Sequence, residues 1–137
     1  MIISSKGRYA LRVMIDLAEH ADQGFISLAD ISARQEISLK YLEAITALLN
    51  KAGFLDSLRG KSGGYKLKKK PEDYTLREIL EVTEGGIVPV NCACLTGDEE
   101  CDRSALCPTM PVWQRLDKII SDYLQSVTLK DLITESR

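Results

Sequence analysis

The chain is poor in the side chains on which small enzymes depend. Among 137 residues there is one histidine, His20, one tryptophan, Trp113, and two phenylalanines. A lone histidine leaves little general-base capacity, and no nucleophile–base pair, phosphate-cradling glycine loop or cofactor fingerprint accompanies it. An enzyme is not expected. Long apolar runs are also missing, and none approaches the roughly 18 residues of a membrane span. Lys6, Arg8, Arg12 and Asp16 interrupt the opening segment, so it does not read as a signal peptide. The expectation is a cytoplasmic protein with no membrane partner. Cysteine is confined to one segment, where Cys92, Cys94, Cys101 and Cys107 fall within sixteen residues. Stable disulfides are rare in the cytosol, and clustered cysteines there more often bind metal or do redox chemistry.

What is present is ordinary in amount and uneven in placement. Hydrophobic residues make up 45% and charged residues 28%, as in a globular domain. The net charge of −2 conceals an asymmetry. Residues 1–70 carry twelve Lys/Arg against seven Asp/Glu, and residues 71–137 carry six against thirteen. Arg59–Lys70, RGKSGGYKLKKK, holds six cations and no acid. A local basic field attracts phosphate whatever the far end carries.

Periodicity divides the chain into helices and one hairpin. Tyr9, Ala10, Val13, Met14, Leu17 and Ala18 recur at helical spacing, and Asp22-Gln23-Gly24 ends that run. Ser27 reads as the N-cap of a short second helix, with Asp30 its capping-box partner and Leu28, Ala29 and Ile31 facing inward. After a turn at Gln35-Glu36-Ile37, Ser38 caps a third helix with Leu42, Ile45, Leu48 and Leu49 as its buried stripe, closed by Gly53. Phe54–Leu58 and Gly64–Leu67 read as paired strands. Thr75 and Glu78 open a fourth helix that ends at Gly85-Gly86. A long helix is expected from about Ser104, with Pro108 and Pro111 in its first turns, and Thr128 then caps a last short helix.

A short helix, a tight turn, a capped second helix and a basic hairpin make a winged helix–turn–helix. The expected fold is mainly α, with a two-stranded wing and a long C-terminal dimerisation helix. The N-terminal residues of the second helix reach base edges in the major groove. Here those are Ser38, Lys40, Tyr41, Glu43 and Ala44. Lys40 suits a phosphate or guanine edge and Glu43 a cytosine amino group, while capping competes for Ser38. In the wing, Gly60, Gly63 and Gly64 allow a tight tip and close approach to DNA. Arg59, Lys61 and Ser62 stand there with Gly63 for a minor groove or flanking phosphates. Lys68–Lys70 taken alone also fit a solvated strand edge.

The apolar residues Val112, Trp113, Leu116, Ile119, Ile120, Tyr123, Leu124 and Val127 repeat every three to four residues. Read as a seam between two copies, the stripe suits a homodimer on a palindromic operator in double-stranded DNA. The alternative is packing back on the N-terminal domain. The division expected is residues 1–86 for the DNA-binding domain, 87–107 for a cysteine-containing sensor loop and 108–137 for the dimerisation helix with its C-terminal cap.

Four thiolates meet the ligand demand of an iron–sulfur cluster, and they could hold tetrahedral zinc. The spacing Cys-x-Cys-x6-Cys-x5-Cys lacks the Cys-x-x-Cys knuckles usual in zinc sites. Asp98, Glu99, Glu100 and Asp102 would raise thiol pKa values, whereas Arg103 and a helix start near Cys107 act the other way. A metal-free thiol sensor and inert structural cysteines remain open on these grounds.

The segments SSKGRYALRVMIDLA, SLADISARQEISLKYLEAITALLNKAGFL, RGKSGGYKL, TLREILEVTEG and CPTMPVWQRL carry a resemblance. Together they resemble the IscR/NsrR/CymR family of bacterial winged-helix regulators, the Rrf-two type, over essentially the whole chain. The resemblance implies a homodimeric transcription regulator whose DNA affinity is set by the loop before the long helix. In the iron–sulfur branch three loop cysteines hold a cluster, which implies Cys94, Cys101 and Cys107 here, with Cys92 as the fourth ligand or in place of Cys94. The cofactor so implied is an iron–sulfur cluster, 2Fe–2S ahead of 4Fe–4S, which oxygen can strip from purified protein. The chain departs from that pattern at Met110, where the iron–sulfur branch has histidine, and at Arg8, where another branch has a carboxylate. His20 is not expected to serve as a ligand. Met110 favours the other branch, a cluster-free regulator of sulfur metabolism controlled by thiol oxidation or by a sulfur-metabolism enzyme as partner.

Overall fold

Side-chain caps start the helices of the N-terminal part. The computed structural model describes residues 3–97 and 101–135, with backbone only at 93, 94, 134 and 135. Ser4 Oγ accepts from Gly7 N to open α1 (Ser5–Glu19). Ser27 accepts from Asp30 N at α2 (Leu28–Gln35), and Ser38 from Tyr41 N at α3 (Leu39–Lys51). Each cap satisfies an otherwise orphaned N–H and contributes about 1 kcal/mol. Between α2 and α3 lie only Glu36, Ile37 and Ser38, and Glu36 takes a left-handed conformation, φ 55°, to make the turn. Ala29, expected inward, is exposed. Its methyl is small, and Ile31 alone of α2 is fully buried.

Leu42, Ile45 and Leu49 of α3 pack with Val13, Met14 and Leu17 of α1 in one core. Thr46 is also fully buried, its hydroxyl donating to Leu42 O at 2.8 Å. The chain then turns into β1 (Leu55–Leu58), which pairs antiparallel with β2 (Gly64–Leu67), Leu55 opposite Leu67. Ile26 extends this wing from the far side through Ile26 N to Tyr65 O, 2.8 Å, and Tyr65 N to Ile26 O, 2.9 Å.

The full capping box of Thr75 and Glu78 opens α4 (Leu76–Glu84), and Gly85 closes it in the left-handed region. A one-turn helix, α5 (Ala93–Thr96), lies in the cysteine segment. The long helix α6 runs Met110–Ser126, not from about Ser104. Proline explains the difference: the residue before Pro108 is disfavoured in the α region, so helix begins beyond it, with Pro111 kept to the first turn. Thr128 and Asp131 hydrogen-bond reciprocally to open α7 (Leu129–Glu135), and Leu129 is fully buried in the same core as α1 and α3. No helix among the described residues is long and apolar enough to cross a membrane.

Candidate nucleic-acid interface and cysteine loop

The first turns of α3 present Leu39, Lys40, Glu43 and Ala44 as exposed side chains. Ser38 Oγ is engaged by Tyr41 N at 3.2 Å. The Tyr41 ring is half-buried and meets the Tyr9 ring edge-on, with centroids 5.5 Å apart. Among the described residues, Lys40, Arg59 and Lys61 make no ion pair and stand exposed. The wing strand differs. Lys66 Nζ lies 4.7 Å above the Phe25 ring, Lys69 Nζ 5.6 Å from the Tyr74 ring, and Lys68 pairs loosely with Asp56 at 3.8 Å. Exposed cations with no ion pair therefore stand at both the helix start and the wing tip.

The wing glycines have a role that sequence reasoning assigned to DNA. A Cβ on Gly64 would fall 2.0 Å from Ile26 O, and one on Gly63 2.1 Å from Leu58 O. Both glycines are demanded by the wing's own backbone packing. Gly60 at the tip faces open space, with φ 109°. Arg59, Lys61 and Ser62 are exposed around it.

Two buried polar side chains hold this face in place. Asp16 of α1 receives Arg34 Nε at 3.0 Å and Nη2 at 2.7 Å, and Gln35 Nε2 at 3.0 Å, all from the end of α2. Burial pushes its carboxyl pKa up, but the hydrogen bonds from Arg34 and Gln35, with the Arg34 charge, outweigh this and hold it below the ordinary value. His20 Nδ1 lies 2.8 Å from Asp16 O. Tyr74, fully buried, donates to Phe54 O at 2.7 Å and accepts from Lys68 N and Lys69 N at 3.1 and 2.9 Å. Its own carbonyl accepts Leu129 N at 3.0 Å, and Leu76 N donates to Val127 O at 3.0 Å. A continuous hydrogen-bonded path therefore joins the end of α6 to the root of the wing. Sequence reading missed Asp16 and Tyr74 because their partners are remote in the chain.

Of the cysteines, Cys92, Cys101 and Cys107 are free, half-buried thiols. The side chain of Cys94 lies outside the described residues, as do Asp98, Glu99 and Glu100. Among the described residues no three His, Cys, Asp or Glu side chains form a metal-holding group. Cys107 Sγ lies 3.3 Å from Thr109 Oγ1, and this hydrogen bond, then the Thr109 backbone, lowers its thiol pKa, with a smaller contribution from Arg103. Met110 is buried at the start of α6. Arg8 is exposed and donates to Ser5 Oγ at 3.0 Å.

From this loop α6 carries two apolar faces. Trp113, Ile120 and Leu124 are half-buried on the side facing the domain, where α6 packs on α4. Val112, Leu116, Ile119 and Tyr123 are exposed, Tyr123 by 64%.

Comparison with known proteins agrees with this geometry. The family described as "Rrf2: Iron-dependent Transcriptional regulator" matches residues 3–135. The HTH-type transcriptional regulator IscR of Aliivibrio salmonicida is 38% identical over 136 residues, 99% of this chain and 79% of that protein. The structure of CymR, the global cysteine regulator of B. subtilis, superposes with a TM-score of 0.82 at 36% identity, covering 98% of each chain. The T. potens IscR structure gives 0.78 at 35% identity, covering 100% of this chain and 89% of that one.

Proposed function

The chain belongs to the Rrf2 family of transcriptional regulators, and on that premise we propose that it works as a homodimer whose operator binding follows the state of its cysteine loop. It is a DNA-binding regulator and not an enzyme. The observation that carries the finer reading is the placement of the loop. It feeds directly into α6, which packs on α4; beyond its far end Val127 O accepts Leu76 N and Leu129 N donates to the carbonyl of Tyr74 at the wing root. A change at the loop therefore has a short mechanical route to the wing.

In this reading Lys40 and Glu43 enter the major groove, Ser38 and Tyr41 orient the helix start, and Arg59, Lys61, Ser62 and Gly63 follow the flanking backbone. Val112, Leu116, Ile119 and Tyr123 meet their counterparts in a second copy. Two half-sites then lie about 34 Å apart or a multiple of it, on a palindromic operator. Residues 1–86 form most of the reading head, 87–107 the sensor, and α6 the dimer axis, with α7 returning to the head.

The donor chemistry fits an iron–sulfur cluster. Cys101 and Cys107, with Cys94 and Cys92, would hold it as thiolates, and the lowered pKa of Cys107 favours that form. When bound, such a cluster supplies an oxygen- and redox-sensitive link across the loop. The iron-dependent family description and the IscR relatives support this. Anaerobic purification with absorption spectra and iron and sulfide assays tests it. The expected result is a coloured protein with iron and sulfide in comparable amounts, of the 2Fe–2S type. A colourless, iron-free protein after reconstitution overturns it.

A second reading is favoured by Met110, buried where the iron–sulfur branch resemblance has a histidine, and by the likeness to the cysteine regulator CymR. Here the thiols themselves, or a sulfur-metabolism enzyme bound as partner, set DNA affinity. Cys101→Ser that leaves regulation unchanged in cells removes cysteine sensing from both readings.

A further inference from the structure

The large apolar side chains left exposed fall on few surfaces. Among the described residues they are Leu39, Leu58, Leu106, Val112, Leu116, Ile119 and Tyr123, and the last four are the α6 stripe. Leu106 lies in the cysteine loop. Leu39 and Leu58 remain, each next in sequence to an exposed cation without an ion pair: Leu39 opens α3 directly before Lys40, and Leu58 ends β1 directly before Arg59. A polar, cation-lined face gains nothing from a leucine in water.

We infer that Leu39 is a specificity-determining residue that packs on the 5-methyl group of a thymine beside the base read by Glu43. The inference rests on α3 being the groove-reading helix. Helical Cα–Cβ bonds tilt toward the N-terminus, so the side chain of the first residue leads the helix into the groove. Ser38 caps the helix through Tyr41 N, and Tyr41 is seated against Tyr9, which fixes the entry of this turn. Leu39 is 47% exposed at that point. Glu43 is its neighbour one turn on, at i+4. In the major groove thymine is marked by its methyl group, and cytosine by an amino donor. Leu39 and Glu43 thus form a paired apolar and acceptor surface suited to adjacent pyrimidines. A phosphate offers Leu39 no favourable contact, so the apolar partner in the groove is the methyl group.

Replacing thymine by deoxyuridine removes that methyl and nothing else. An operator is first selected from random DNA with the full-length dimer, and each thymine is then singly replaced. Fluorescence anisotropy at fixed salt gives the affinity of wild type, Leu39→Ala and Leu39→Met, with circular dichroism and a melting curve establishing that each variant is folded. The expected result is one position per half-site where uracil weakens wild-type binding about three- to fivefold. At that position Leu39→Ala binds both bases equally, and Leu39→Met keeps the preference. No uracil-sensitive position, or the same sensitivity in Leu39→Ala, overturns the inference and assigns Leu39 to sugar or packing contacts. If selection returns no preferred sequence, operator reading itself fails and the inference falls with it. The two failures are therefore told apart by the selection step.

Discussion

Asp16 is buried to 1% exposure and grips Arg34 at two points, joining the first helix to the end of the helix that precedes the reading turn. The pair sets the angle at which α2 leaves α1, and through the three-residue turn the position of α3. Asp16→Asn keeps the shape and removes the charge. It should cost about 2 kcal/mol, below the 3–5 of a fully buried pair because Arg34 is one-third exposed. Urea unfolding measures it. The sign with pH is set by the lowered pKa of Asp16. Its stabilisation is complete above the unfolded value of about 4 and is lost as pH falls through the lower folded value. The gap between wild type and Asp16→Asn should close on acidification below pH ~4 and stay constant from about pH 5 to 7.

Tyr74→Phe removes one hydroxyl and unseats three backbone groups, Phe54 O, Lys68 N and Lys69 N. The expected loss is about 1–3 kcal/mol. Amide exchange at Lys68 and Lys69 should rise well above that in the α3 core. Uniform exchange across the domain would contradict a role confined to the wing root.

Gly64→Ala and Gly60→Ala separate wing architecture from wing-tip contact. At Gly64 the new Cβ meets the Ile26 backbone, so about 2–3 kcal/mol is lost and the Ile26–Tyr65 bridge opens. At Gly60 there is space, and only the strain of a positive φ is added, about 1–2 kcal/mol. Hydrogen exchange at Ile26 and Tyr65 should rise in the first variant and not in the second.

Lys40→Ala and Arg59→Ala should each lower the dependence of log affinity on log salt by about 0.9 per phosphate contact removed. Lys66→Ala should change the slope less, because that ammonium is seated over Phe25. Titrations at several salt concentrations give the three slopes directly.

Ile119→Glu places a charge in the middle of the exposed α6 stripe, and a two-fold seam would repeat it. Sedimentation should show a monomer with unchanged helical content. Operator affinity should fall about tenfold or more once the second half-site is no longer linked.

Local chemistry was readable from the sequence. Ser27, Ser38 and Thr75 are caps because a hydroxyl precedes an apolar-periodic run, and Gly53 and Gly85 sit where left-handed backbone is needed. The strand pair and the α6 stripe follow from spacing alone. Contacts remote in sequence were not readable. Nothing near Asp16 announces Arg34, eighteen residues away, and nothing near Gly64 announces Ile26. The helix start at Met110 was legible in principle, since Pro108 restrains Cys107. The expected start falls too far upstream, at about Ser104, because both prolines are admitted to the first turns, whereas Pro108 lies outside the helix.

Leu129, close to the end of the chain, is fully buried beside residues of the first helix, and its N–H closes on Tyr74. The reading head is thus completed by a segment that leaves the ribosome long after α3. Synthesis proceeds at roughly 5–20 residues per second, so the head waits a few seconds after α3 has emerged before its core can be filled. A chain interrupted anywhere before residue 129 carries a leucine-sized void and an unanswered carbonyl at the wing root. Copies that stop short of residue 129 are therefore poor competitors for operator sites.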